Sequence, residues 1–361
     1  MRGKMATITV QAAVALAVAG CSVPIADTPA VAIPEDRDSG AVVAALRRLD
    51  ACALIDPAIA DRVGMGSRPA VYPEAPHACT ISSEPPSLND VDEVTVRLGE
   101  DAEHYLKWSS APITLAGAKA YLLDDTLRAD NCVVFIPVSF TRAIGIHADG
   151  RIGGSDIDLC AAATAFAQAA ATKLANPDSL RADRAVRPLS QWDGCSLLAT
   201  ALGDRTEQYT LELDDGVPGL DGCDASRGED PELSLTMSYG WDPARYAGAN
   251  RKQLGGRTVA VAEPELAGPG RPYCLVSWSN GPASAIRALS DQVIEVRAPD
   301  CPQAEQLAAA VISGHDTAPP TAAVPQPLLY RPDEPDTAAT GPCIDDFDGD
   351  KPGRCTPYRE V

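Results

Sequence analysis

The chain has 361 residues, of which 30 are basic and 50 acidic, giving a formal net charge of −20, and 45% of its residues are hydrophobic. So acidic a surface repels a phosphate backbone, which sets nucleic acid aside as a partner. The length suits about two domains, each with a core of its own.

Arg2 and Lys4 precede a mostly apolar run from Ala6 to Ala19, the pattern of a secretory leader. The run is shorter than the roughly 20 apolar residues of a spanning helix. It ends in Val18-Ala19-Gly20-Cys21, which resembles the lipobox of bacterial lipoproteins. That resemblance implies removal of residues 1–20 and a thioether-linked diacylglycerol on Cys21. The mature chain is then expected outside the cytoplasm, held to the outer face of the cell membrane by lipid alone, since each buried methylene contributes about 0.8 kcal/mol. Lysine is scarce beside arginine, and Ala, Asp and Pro abound, a bias that points to a high-GC genome and an actinobacterial envelope.

With Cys21 set aside, ten cysteines remain, an even number in a chain that leaves the reducing cytoplasm. Cys52, Cys79, Cys132 and Cys160 are separated by 27, 53 and 28 residues, and Cys195, Cys223, Cys274 and Cys301 by 28, 51 and 27. Two sets of four in nearly one rhythm are an internal duplication. Asp50-Ala51-Cys52-Ala53-Leu54 is echoed by Asp193-Gly194-Cys195-Ser196-Leu197, and the fourth Cys of each set opens an alanine-rich stretch. Three pairings are open to each set. First with second and third with fourth is favoured, 52–79, 132–160, 195–223 and 274–301, because each short loop then staples a helix to the sheet it covers. Cys343 and Cys355 remain as a third, local pair.

The region 21–40 is rich in Ala, Pro and Asp without apolar periodicity and reads as a tether. A first α+β repeat follows over 41–176. It opens with a helix whose face carries Val42, Val43, Leu46 and Leu49, then a short helix begun by Asp56-Pro57 and stopped by Gly64. Val94, Val96 and Leu98 alternate as a strand, as do Tyr121 and Leu123; the apolar run from Cys132 to Phe140 is a further strand. Asp149-Gly150 is a hairpin signal, and Asp158 can cap a helix through Phe166 and Leu174. After a linker at 177–187, the second repeat, 188–313, restates the order. Its strands carry Leu233, Leu235 and Met237, then Val259 and Val261, Cys274 to Ser279, and Val293 to Val296. Asp300-Cys301-Pro302 opens its last helix. Residues 314–342 are a Pro-rich linker, in which Leu328, Leu329 and Tyr330 form an apolar triplet able to dock on a domain. Residues 343–361 are an acidic, Cys-bracketed tail.

Asp50, Cys52, Leu54, Asp56 and Pro57, with Asp193, Cys195, Leu197 and Leu198 in the second repeat, resemble the Cys-Leu-Leu-Pro pattern of a family of actinobacterial cell-envelope lipoproteins of unknown function. Its layout is similar to the extracellular sensor domains of mycobacterial receptor Ser/Thr kinases. The second repeat lacks the Pro, and Ile81 and Ala225 stand where that family has an aromatic residue. The resemblance implies, in each repeat, a curved antiparallel sheet with flanking helices, two disulfides and a cleft for an undefined ligand. It names no catalytic residues.

A search for chemistry returns little. Histidines occur only at 77, 104, 147 and 315, and no HExxH, GxSxG, Ser-x-x-Lys or GxGxxG is present, so no catalytic residue, metal ligand or cofactor is assigned. Asp346, Asp348 and Asp350 alternate as in a calcium loop, but Gly349 and Pro357 occupy the wrong positions, and a solvated turn is expected. Trp108, Trp192, Trp241 and Trp278 are candidates for a recognition cleft or for the core. The function expected is a non-catalytic, membrane-anchored ligand-binding or sensor module. An interaction protein using the acidic surface and the Pro-rich tail is the alternative, and an envelope hydrolase the remote one.

Overall fold

Aspartate starts every α-helix among the described residues. The computed structural model describes residues 36–66, 69–83, 92–101, 110–123, 131–150, 157–180, 188–213, 219–228, 231–262, 273–283, 291–314, 327–336, 343–344 and 354–355; Cys21, the leader and the tether to residue 35 lie outside these. Asp38 accepts from Ala41 N at the head of α1 (Ser39–Leu46), Asp50 from Cys52 N at α2 (Ala51–Leu54), and Asp56 from Ala58 N at α3 (Pro57–Arg62). A carboxylate that accepts an otherwise orphaned helix N–H is worth about 1 kcal/mol, and Pro57 costs nothing there because its missing N–H has no partner to lose. The helix expected from Ala41 thus begins two residues earlier, inside the expected tether, because Asp38 supplies its cap.

The first sheet comprises β1 (Ala70–Ala75), β2 (Ala78–Ser82), β3 (Glu93–Asp101), β4 (Ala111–Leu115), β5 (Ala118–Leu123), β6 (Asn131–Pro137) and β7 (Arg142–Asp149), in the order β1-β2-β3-β7-β6-β5-β4. All its pairings are antiparallel. Alternation sends Val94, Val96 and Leu98, with Val134, Ile136, Ile144 and Ile146, to one face. There they are buried with Phe166, Ala167 and Ala170 of α4 (Leu159–Leu174), whose small alanines let the helix lie close to the strands. Asp149-Gly150 makes no hairpin. Asp149 ends β7, paired with Glu93 and Asn131, and the next described element is α4, capped by Asp158.

The second half repeats this design. It runs from α5 (Gly194–Leu202), capped by Asp193, through β8 (Thr210–Glu212), β9 (Gly222–Ser226), β10 (Pro231–Gly240), β11 (Asn250–Leu254), β12 (Arg257–Ala262), β13 (Cys274–Pro282) and β14 (Asp291–Ala298) to α6 (Cys301–Gly314), whose Gln303 N donates to Asp300. Read from the β8 edge, the strand order β8-β9-β10-β14-β13-β12-β11 matches the first sheet position for position. Leu233, Leu235, Met237, Val276, Trp278, Ile294 and Val296 meet Leu307 and Val311 of α6 in a second core. Neither sheet closes into a barrel.

Four disulfides follow the favoured pairing, Cys52–Cys79, Cys132–Cys160, Cys195–Cys223 and Cys274–Cys301, with Cα–Cα distances of 5.0, 5.2, 4.9 and 4.9 Å. Each ties a helix to a strand. Such crosslinks suit an oxidising compartment. No described helix is long and apolar enough to cross a membrane. At the C-terminus Cys343 stands opposite Cys355 in the antiparallel pair β15 (Cys343–Ile344) and β16 (Arg354–Cys355).

The apolar triplet of the Pro-rich stretch docks on the first repeat. Leu328 is 3% exposed within its core and Lys119 N donates to Tyr330 O at 2.8 Å. The Arg37 guanidinium donates to the carbonyls of Pro327, Leu328 and Leu329, pairs with Glu334 at 3.0 Å and lies 3.6 Å from the Tyr330 ring centre. Further along, Asp336 accepts from Lys119 Nζ and the Tyr121 hydroxyl, each at 3.1 Å. Burial, followed by the Asp336 carboxylate, pushes the Tyr121 phenol well above its ordinary range. The Arg37 side chain therefore organises a strap 290 residues later. Arg37→Ala is expected to lower stability by about 2 kcal/mol, the scale of lost charge-assisted hydrogen bonds. It should also let chymotrypsin cut after Tyr330, which is 2% exposed while the strap is docked, while the disulfide-stapled repeats resist. Unchanged resistance at Tyr330 would show that Leu328 and Tyr330 hold the strap without it.

The two repeats meet through register-equivalent residues. His77 and Asp221 each lie two positions before the second Cys of their repeat, and they face one another with Nδ1 2.6 Å from Oδ1. Their backbones play equivalent parts: Leu98 N donates to His77 O at 3.0 Å and Met237 N to Asp221 O at 2.7 Å. Residues on the axis of a two-fold dimer meet their own copies in this way. Leu220 of the second repeat is fully buried in the first repeat's core, and Arg47 pairs with the α5 cap Asp193 at 2.5 Å.

Candidate functional site

Each sheet has one face against its helices and one turned away, and the repeats differ on the second. In the first repeat the outward face is packed: Val133 and Phe135 of β6 and Ala143 of β7 are 6%, 4% and 0% exposed, with Tyr121 and Leu123 of β5 against them. In the second repeat the same face opens into a cleft of about 750 Å³, within the range of small-molecule sites.

The strand registers show why. Phe135 and Ser277 both stand three residues after the third Cys of their repeat. Phe135 pairs across the ladder with Tyr121, and Ser277 with Ala260. One step along, Val133 pairs with Leu123 and Leu275 with Ala262. Three large side chains, Phe135, Tyr121 and Leu123, thus correspond to Ser277, Ala260 and Ala262, and the space they fill in one half is vacated in the other.

The carboxylate at this face has moved as well. Phe135 faces Gly145 on β7, whereas Ser277 faces Glu295 on β14. In the first repeat Glu100 reaches in from β3 and fills the place over Gly145, where an added Cβ would lie 1.8 Å from its Oε2. In the second repeat that place belongs to Glu295, and the position matching Glu100 is Ser238, paired with Val293 as Glu100 is with Ala143. Each carboxylate keeps a cationic or protonatable neighbour at the matching register: His147 Nε2 lies 2.7 Å from Glu100, and Arg297 Nη2 lies 3.7 Å from Glu295. Burial raises the Glu295 carboxyl above its usual range, and the Arg297 charge offsets this only in part. Arg297 itself sits 4.3 Å from the Tyr273 ring centre.

The β10–β11 connection forms the cleft wall. Gly240 leads to Trp241, and Asp242 caps a single 3₁₀ turn, Pro243–Arg245, by accepting from Ala244 N at 3.0 Å; Arg251 Nε bonds the Ala244 carbonyl and holds the turn to β11. Trp241 and Tyr246 emerge on either side of that turn, 56% and 55% exposed, the large hydrophobic side chains most open to solvent among the described residues. Both line the cleft. The two exposed rings add flat apolar surface at the mouth of the cleft.

Of the expected candidates, Trp241 lines the cleft, Trp278 is buried in the second core, Trp192 is half-buried against it, and Trp108 lies outside the described residues. His77 and His147 are both bonded to carboxylates, while His104, His315 and Asp346, Asp348 and Asp350 lie outside the described residues. Eight cysteines act as staples, and none of these eight lines the cleft. Glu295, Ser277, Ala260 and Tyr246 carry no motif; counting three residues on from each third cysteine sets Ser277 against Phe135, and the other three need the strand registers or the fold.

No family model matches the chain, and no curated protein matches it. Among solved structures, the di-domain ARO/CYC protein StfQ from the steffimycin biosynthetic pathway is 12% identical, covering 78% of this chain and 92% of its own, with a TM-score of 0.13. That value carries no argument for fold or function.

Proposed function

We propose that this chain is a membrane-anchored, extracytoplasmic and non-catalytic ligand-binding module whose second repeat holds the ligand. The observation that carries the reading is the cleft over β10, β12, β13 and β14, floored by small residues and walled by two exposed aromatic rings. Its described lining contains one carboxylate, Glu295, and no His, Cys or Lys, a composition that orients a ligand rather than activating a nucleophile. The leader ending at Cys21 and the four disulfides support delivery to the outer face of the membrane.

Native mass spectrometry of the full chain, exported by an actinobacterial host and released from membranes in detergent, tests this directly. The expected result is loss of residues 1–20, a diacylglyceryl group on Cys21, and a further mass that mild organic extraction removes. A chain carrying no extractable mass, whether from the host or after incubation with an envelope extract, would move the function to a protein partner.

A further inference from the structure

We infer that the second-repeat cleft takes a compact ligand of two aromatic rings bearing a hydroxyl, seated where the first repeat keeps its own Phe135 and Tyr121 rings. This rests on the binding-module reading and names the ligand class for the same site. The fold is duplicated strand for strand, so the first repeat displays what fills this face when the chain supplies the filling. Phe135 and Tyr121 are directly opposite across β6 and β5, so their rings occupy a space two strands wide and one residue pair long. Replacement by Ser277 and Ala260, also directly opposite each other, leaves a slot of that shape. A long acyl chain needs a tunnel along the strands, whereas two rings side by side need this short, broad slot. Trp241 and Tyr246 add flat faces at its mouth, against which aromatic rings pack in offset or edge-to-face geometry.

The polar requirement follows from the same comparison. In the first repeat the ring hydroxyl of Tyr121 donates to the strap carboxylate Asp336 at 3.1 Å. In the second, the carboxyl lining the vacated slot is Glu295, with the hydroxyls of Ser277 and Ser238 beside it. A ligand hydroxyl buried there has an acceptor in Glu295, which pairs with Arg297 at 3.7 Å and keeps further lone pairs to accept with.

The test is calorimetric titration of the oxidised mature chain with 4-hydroxybiphenyl, a phenyl ring joined to a phenol, beside decan-1-ol as the linear probe with the same O–H. The expected result is one equivalent of 4-hydroxybiphenyl per chain and at least about tenfold weaker decan-1-ol. Ala260→Tyr with Ser277→Phe, which restores the first repeat's filling, should abolish binding with thermal unfolding preserved. Should that variant fail to fold, Trp241→Ala, at an exposed position, should weaken binding several-fold. Decan-1-ol saturating the cleft in preference to 4-hydroxybiphenyl would overturn the ligand class and leave the binding module standing, as would an extractable native mass with neither probe bound. Equal binding of 4-hydroxybiphenyl by the filled variant would overturn the location.

Discussion

His77→Ala is expected to cost about 3–5 kcal/mol, the scale of removing one partner from a buried ion pair. His77 and Asp221 have side chains 0% and 1% exposed. Nδ1 of the imidazole faces Asp221 Oδ1 at 2.6 Å and Nε2 faces the Ser190 carbonyl at 3.2 Å, so both ring nitrogens have a polar partner. Deleting the ring leaves the Asp221 carboxylate between the repeats with, among the described residues, the His77 backbone N–H at 3.3 Å as its remaining donor. Asp221→Ala should cost a similar amount. The pair replaced together by His77→Leu and Asp221→Leu should recover most of the loss, since apolar groups of similar volume replace a buried pair at little net cost. Urea unfolding of the wild type, the two single Ala variants and the double Ala variant reads the coupling as a double-mutant cycle, with the double Leu variant measured beside them. Additive single losses, with no recovery in either double variant, would show that the pair is not coupled. The pairing also bears on the duplication. A dimer of one repeat puts the same residue on both sides of its axis, acid against acid or base against base. Joining two copies in one chain lets the two positions diverge to opposite charge, and a juncture that was merely tolerated becomes a lock.

Much of the architecture was legible because it rests on local chemistry. The cysteine rhythm disclosed the two repeats and, with the idea that each loop staples a helix to a sheet, the four pairings that form. The Asp caps at 56, 158 and 300 announced helix starts, since a short carboxylate before an apolar-periodic stretch has few other uses. Leu328 to Tyr330 betrayed a docking segment by being apolar inside a Pro-rich run. Asp149-Gly150 misled because a hairpin dipeptide also ends a strand cleanly when a helix follows.

The cleft was illegible for a different reason. Ala260, Ala262 and Ser277 are unremarked in a strand, and a void is made by what neighbouring strands fail to bring. Only the registers that set Phe135 and Tyr121 against Ser277 and Ala260 turn three small residues into a site. The exchange of Glu100 for Glu295 is likewise invisible along the chain, because the carboxylate keeps its place while changing its strand. His77 and Asp221 share a sequence position, but that they touch is a fact of assembly.

Leu220→Ala should destabilise the first repeat, although the residue belongs to the second, by about 2–5 kcal/mol. Its side chain is fully buried among first-repeat residues, and Gly99 makes room for it. At Gly99 the β3–β7 register slips between Leu98 and Glu100, φ is +74°, and a Cβ would lie 2.5 Å from Leu220 Cγ. The glycine is required twice, once for the left-handed backbone of the bulge and once for the approach of another repeat's leucine. Gly99→Ala therefore forces both backbone strain and the withdrawal of Leu220. If the leucine is the larger part of that cost, Gly99→Ala added to Leu220→Ala should cost much less than Gly99→Ala alone, because the clash has gone and only the φ penalty of about 1 kcal/mol remains. Both single variants should still unfold in one transition with the second repeat, since the shared leucine and the His77–Asp221 pair couple the halves. Two separated transitions in the wild-type chain would refute that coupling, and additive costs in the double variant would reduce Gly99 to a bulge residue.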